Sequence, residues 1–79
     1  MEKVYIIFYN NGEEYPEEYE EFIYPYYFLT REDALQKIEE LKNNNNFMKN
    51  ICRNYEEKSE EEKDMMFMMS LLKLYKKEK

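Results

Sequence analysis

The sequence predicts a small α+β fold, an antiparallel sheet from the N-terminal half packed by two or three helices, on three observations. Val4–Tyr9 (VYIIFY) is a run of β-branched and aromatic residues, the composition that suits a pleated, half-buried strand. Asn10-Asn11-Gly12 follows it, and Asn-Gly after such a run is the strongest short hairpin signal. Ala34, Leu35, Ile38 and Leu41 then recur at the spacing of one helix face.

Both alternating sets of the first strand, Val4/Ile6/Phe8 and Tyr5/Ile7/Tyr9, are apolar or aromatic, which places it centrally or under cover on both faces. A two-residue turn would set Glu13, Glu14, Glu17 and Glu18 opposite that strand, and Pro16 would remove a ladder donor. A longer acidic loop over 10–21 is therefore expected, within a strand region spanning 1–30. The second strand is expected from Tyr19 to Leu29, with Phe22, Tyr24, Tyr26 and Phe28 on one face and Ile23, Tyr27 and Leu29 on the other. Pro25 marks it as an edge strand or a bulge.

Thr30 opens a helix over 31–42. Its hydroxyl can accept from the amide of Asp33, whose carboxylate can answer in a capping box, and Glu32 and Asp33 suit the positive helix end. The Asn43–Asn46 run closes the helix, since asparagine tolerates a left-handed cap. An Asn-rich connection with a short helix is expected over 43–58, where Phe47/Ile51/Tyr55 fit a helix while Ile51/Arg53/Tyr55 alternate like a strand. Ser59 with Glu62 forms a second capping box. Met65–Tyr75 then holds nine apolar residues in eleven, with Met and Leu favouring helix. A C-terminal helix is thus expected over 59–77, ending among Lys73, Lys76, Lys77 and Lys79.

Seventy-nine residues make one domain, 1–79, with a modest core. Nine Tyr, five Phe and six Met set it apart from disordered acidic chains, which are poor in aromatics. One cysteine, Cys52, allows no internal disulfide, and no stretch has the pattern of a signal peptide or of a membrane span. A cytoplasmic location in a bacterial host is expected.

Several chemistries lack their residues. Without histidine there is no His base, Ser-His-Asp triad or His metal site. A single glycine, Gly12, cannot build a phosphate-binding loop. Carboxylate pairs of glycosidases need a cleft about 5–9.5 Å across, and Glu13–Glu21 lacks the alternating Asp/Asn and the glycine of a calcium loop. No enzyme activity, cofactor or metal is expected. Cys52, beside Arg53, is read first as a small core hydrophobe.

The charge is the most localised feature. Six of the 18 acids lie in the nine residues Glu13–Glu21 and all 12 Lys and Arg lie outside it, so the net charge of −6 is that of this segment. An acidic chain is a poor ligand for nucleic acid, which demands a basic face, so no direct nucleic-acid binding is expected and basic proteins are the fitting partners. Glu13, Glu14, Tyr15, Glu17, Glu18, Tyr19, Glu20 and Glu21 form the candidate partner-binding segment. If extended, it would array carboxylates at about 6.6–6.8 Å spacing, with tyrosine rings where bases would sit. The competing reading is a solvated loop that serves solubility. Met65, Met68, Met69, Leu72 and Tyr75 form a candidate oligomer surface, because methionine adapts to partners and a helix apolar around most of its girth calls for a second copy.

Lys3–Asn10 followed by Phe28–Ala34 is similar to small strand-strand-helix proteins of phages and mobile elements of A+T-rich bacteria, over roughly the first 42 residues. In size, acidity and want of catalytic residues the chain also resembles anti-CRISPR proteins, many of which block Cas effectors by occupying nucleic-acid channels or holding subunits inactive. That resemblance implies a protein-binding inhibitor acting on a basic groove of a Cas-type nuclease. The alternative is a structural or oligomerisation module built on the Met-rich segment, with the acidic loop only solubilising.

Overall fold

The computed structural model describes residues 2–74. Three strands and three helices follow in the order β1 (Glu2–Asn10), β2 (Glu21–Phe28), α1 (Arg31–Lys42), α2 (Asn45–Ile51), a 3₁₀ turn (Tyr55–Glu57), α3 (Glu60–Met65) and β3 (Phe67–Leu74). The sheet is antiparallel with order β2-β1-β3, so the apolar first strand is central and β2 and β3 are its edges. This is the small α+β fold that the sequence predicts.

The C-terminal helix is a correction. Only Glu60–Met65 is helical, and Phe67–Leu74, expected within a helix over 59–77, is a strand paired with β1 from Tyr9↔Phe67 to Glu2↔Leu74. The helix preference of Met and Leu is worth only tenths of a kcal/mol per residue, whereas leaving that edge of β1 unpaired would strand a row of backbone donors and acceptors. Alternation also disposes of the apolar girth better than a helix: Phe67 is buried, Met69 half-buried, and Met68 and Leu72 project the other way. The stretch 75–77 of the expected helix, and the lysines beyond, lie outside the described residues.

The register of β1 and β2 slips between Ile6↔Tyr27 and Phe8↔Ile23. One residue of β1, Ile7, thereby stands against Tyr24-Pro25-Tyr26, so Pro25 sits in a bulge of an edge strand, where its missing donor costs no ladder bond. The bulge adds an even number of residues and so preserves the alternation of faces. Phe22, Tyr24 and Phe28 turn toward the core, while Ile23, Tyr27 and Leu29 are exposed, joined by Tyr26 at the bulge.

All the helical cover lies on one face. Ile7, Ala34, Leu41, Met48, Cys52, Met66 and Phe67 form the buried cluster, and Tyr9 joins it by rings, 5.2 Å from Phe22 and 5.2 Å from Phe47. Thr30 caps α1 by accepting from Asp33 N at 3.1 Å. Its buried stripe is Ala34 and Leu41 with Ile38 half-buried, while Leu35, at the margin of the stripe, is 37% exposed. Asn43 closes α1 with φ −92°, not in the left-handed region. The asparagine run has a second role, because the side chain of Asn44 accepts from Phe47 N at 3.1 Å and starts α2. Lys42 joins α1 to α3 by pairing with Asp64, with Glu60 at 3.9 Å.

The second capping box is complete. Ser59 Oγ accepts from Glu62 N at 3.2 Å and the Glu62 carboxylate accepts from Ser59 N at 3.0 Å. That backbone N–H first, then the Ser59 hydroxyl and Lys58, hold the Glu62 carboxyl below its ordinary 4.5. A carboxyl depressed in the folded state contributes stability above its unfolded pKa and loses it as pH falls through the folded value. Side-chain carboxyl NMR is expected to place the Glu62 midpoint below 4.5; a midpoint at or above it means an open box in solution.

Candidate functional site

The acidic loop is built by two asparagines and a glycine. Asn10 Oδ1 accepts from Gly12 N at 2.8 Å, turning the chain as β1 ends. Gly12 then takes φ +77°, a left-handed conformation that a residue without a Cβ adopts freely. The Asn11 side chain lies across the mouth of the loop. Its Oδ1 accepts from Glu13 N and Glu20 N, both at 3.2 Å, and its Nδ2 donates to Glu18 O at 2.7 Å. With Asn11 N donating to Glu20 O at 3.1 Å, one residue ties both limbs of the loop together.

Between those limbs the chain does not run extended. Glu18 N and Tyr19 N both donate to Tyr15 O at 2.9 Å, so Tyr15–Tyr19 winds into a turn. The linear array of carboxylates is thereby corrected to a compact knob. Pro16 fits the first position of such a turn, where its fixed φ is an advantage and its missing N–H no loss.

All eight candidate residues lie on this knob or at its base. Glu14, Tyr15, Glu17, Glu18, Tyr19, Glu20 and Glu21 are exposed and Glu13 is half-buried. Tyr15 is 67% exposed, whereas Tyr19 is turned back on the loop, its hydroxyl donating to Glu21 Oε1 at 2.7 Å. That hydrogen bond to a carboxylate is the main cause of a phenol pKa raised above its ordinary 10.0. No carboxylate of Glu13–Glu21 forms an ion pair among the described residues.

Three cations absent from this stretch of sequence are brought near it by the fold. Glu13, Glu18 and Glu20 share a cleft of about 480 Å³ with Lys49 and Arg53 of α2 and the segment after it. On the other side Glu13 and Glu14 share a smaller one with Lys58 and Glu62. Part of the loop's charge is offset there, and Tyr15 and Glu17 line neither cleft. The only sequence signal for this neighbourhood was turn chemistry at Asn10-Asn11-Gly12; the basic flank arrives by tertiary packing alone. Among the described residues, no three Asp, Glu or Cys side chains are grouped to hold a metal ion, and no helix is long and apolar enough to cross a membrane.

The Met-rich candidates are not one surface. Met65 ends α3 at 76% exposure, Met68 and Leu72 lie on the helix-free face of β3, and Met69 is on the helix-covered face. Tyr75 lies outside the described residues. Cys52 is buried in the core. The helix-free face carries Ile6 and Phe8 of β1 between Tyr27 and Ile23 of β2 and Ser70 and Met68 of β3. Compared with protein-family models, with curated proteins and with solved structures, the chain matches none.

Proposed function

We propose that this protein is a non-enzymatic, protein-binding inhibitor of the anti-CRISPR kind, which inserts the Glu13–Glu21 loop into a basic groove of a nucleic-acid-handling protein, a Cas-type nuclease foremost. The observation that carries the reading is the ordering of the loop. A solubilising loop needs no fixed shape, whereas this one has its mouth closed by three Asn11 side-chain hydrogen bonds and its tip wound on Tyr15 O. Like charges held close repel, and a preformed anionic knob spares the ordering cost of binding.

Tyr15 is the aromatic anchor, exposed at the tip of the loop, and Glu17, Glu18, Glu20 and Glu21 provide the attraction that speeds encounter. The compact shape fits a pocket or a groove junction on the target better than the full length of a duplex channel. The protein acts by occupancy, and its affinity falls as salt screens the charges.

The test uses a purified guide-loaded Cas nuclease and reads both target cleavage and binding by fluorescence anisotropy at low and high salt. Wild type is expected to inhibit cleavage and to bind with steep salt dependence. The variant carrying Glu17→Gln, Glu18→Gln, Glu20→Gln and Glu21→Gln is expected to bind at least about tenfold more weakly, or about 1.4 kcal/mol, with a flattened salt response. Unchanged affinity in that variant, or binding indifferent to salt, rules out the acidic knob as the contact.

A further inference from the structure

We propose that the free edge of β3 pairs with β3 of a second copy, antiparallel about a twofold axis at Ser70, making a six-stranded sheet. Among the described residues β3 pairs with β1 alone, so its outer edge offers a row of backbone donors and acceptors. The two edges of this sheet are treated differently. β2 is interrupted by Pro25 in a bulge and begins beside Glu20 and Glu21, devices that discourage edge-to-edge pairing. From Met65 to Leu72 there is neither a charge nor a proline, in a chain 38% charged. An uncharged run of that length on an edge strand, broken only by Lys73 near its end, is an aggregation hazard unless a partner covers it.

Hydrogen-bond parity specifies how a second copy can dock. Asn10 N donates to Met66 O at 2.9 Å, which continues the β1–β3 register by one residue beyond Tyr9↔Phe67. Met66, Met68, Ser70 and Leu72 therefore direct their backbone groups at β1, and Phe67, Met69 and Leu71 direct theirs outward. Two such edges can bond only through the outward set. Centring on Ser70 brings the most outward-directed residues of Phe67–Leu74 into pairs: Met69 bonds with Leu71 of the second copy, Ser70 faces its own equivalent, and Met68 stands against Leu72 on the helix-free face.

The occupant is a second copy because this edge complements itself. Every cross-strand pair between Met68 and Leu72 is apolar or Ser–Ser, and none opposes like charges, which would be costly. The acidic loop follows Asn10, at the Phe67 end of β3. Antiparallel pairing therefore puts the two loops at opposite ends of the joint, away from each other. Met68, Leu71 and Leu72, each about half exposed in the single chain, gain neighbours in the pair.

Cross-linking with a monomer-breaking control tests the arrangement. Facing residues in a non-hydrogen-bonded pair have Cα atoms about 4.5 Å apart, within disulfide range. Ser70→Cys is expected to cross-link to double mass on mild oxidation, with Cys52 buried and unreactive. Met68→Cys is expected to stay single, because its equivalent lies four residues along, about 13 Å away. Light scattering at high micromolar concentration is expected to show twice the 10.0 kDa chain mass for wild type. Leu71→Pro, whose lost N–H points outward and whose ring an edge strand tolerates, is expected to give the single mass with an unchanged circular dichroism spectrum. The proposal fails if wild type is monomeric, or if Met68→Cys cross-links while Ser70→Cys does not. It also fails if the double mass survives Leu71→Pro and falls instead with Tyr27→Lys, the outcome for copies stacked by their open faces.

Discussion

Ile7→Ala is expected to lower the free energy of unfolding by about 2–5 kcal/mol, and Ile23→Ala by less than about 1 kcal/mol. The two isoleucines lie on adjacent strands of one sheet but on opposite faces. Ile7 is 0% exposed, beneath Ala34, Leu41 and Met48, whereas Ile23 is 64% exposed on the face without helices. Removing the buried side chain loses its transfer free energy and leaves a cavity that rigid neighbours fill only in part. A domain of this size commands about 5 kcal/mol in total, so Ile7→Ala takes it to the edge of unfolding at growth temperature. Urea denaturation of both variants, with unchanged slopes, checks the pair. Equal losses at the two positions mean that Ile23, exposed in the single chain, is covered in solution.

Gly12→Ala is expected to cost about 1–3 kcal/mol, the left-handed backbone accounting for about 1–2 of it. At φ +77° an added Cβ lies 2.7 Å from Lys58 Cε, 3.2 Å from Cys52 Sγ and 3.4 Å from Met66 Sδ. The lysine stem can swing aside. Cys52 and Met66, both buried in the core, yield only by disturbing its packing. Urea denaturation of Gly12→Ala alone and combined with Lys58→Ala separates the contributions, since removing the lysine relieves its clash and neither the backbone strain nor the contact with Cys52. A neutral Gly12→Ala means that the chain leaves β1 by another turn. The same substitution reaches the acidic knob, because Gly12 directly follows the asparagine whose side chain closes the loop.

The elements readable in the sequence were those specified by neighbours along the chain. VYIIFY, Thr30 before Asp33, and Ser59 before Glu62 each report a strand or a cap from residues within a few positions, and each formed, although at Thr30 only the hydroxyl half of the expected capping box is present and the Asp33 carboxylate does not answer. The candidate site was legible as composition, six carboxylates with Tyr15 and Tyr19, but not as shape. An extended array was expected, and the structure has a turn on Tyr15 O. Asn11 read as half of a hairpin signal; as the staple of a ten-residue loop it requires Glu18 and Glu20 to return to it, which no local pattern announces.

Met65–Tyr75 shows where local information ended. Its residues carry a mild helix preference and no strict alternation, so propensity favoured one continuous helix. The open side of β1 outweighed it, because backbone groups on a central strand must be paired and Phe67–Leu74 was the stretch in position to pair them. From the chain alone come the α+β class, a first strand that is central or covered on both faces, the starts of α1 and α3 and the location of the net charge, all set by contacts short in sequence. The third strand, the choice of which sheet face the helices cover, the wound form of the acidic loop and its basic flank from Lys49, Arg53 and Lys58 were decided by the assembled fold. They depend on hydrogen bonds and packing between segments far apart in sequence, which form only as the whole closes.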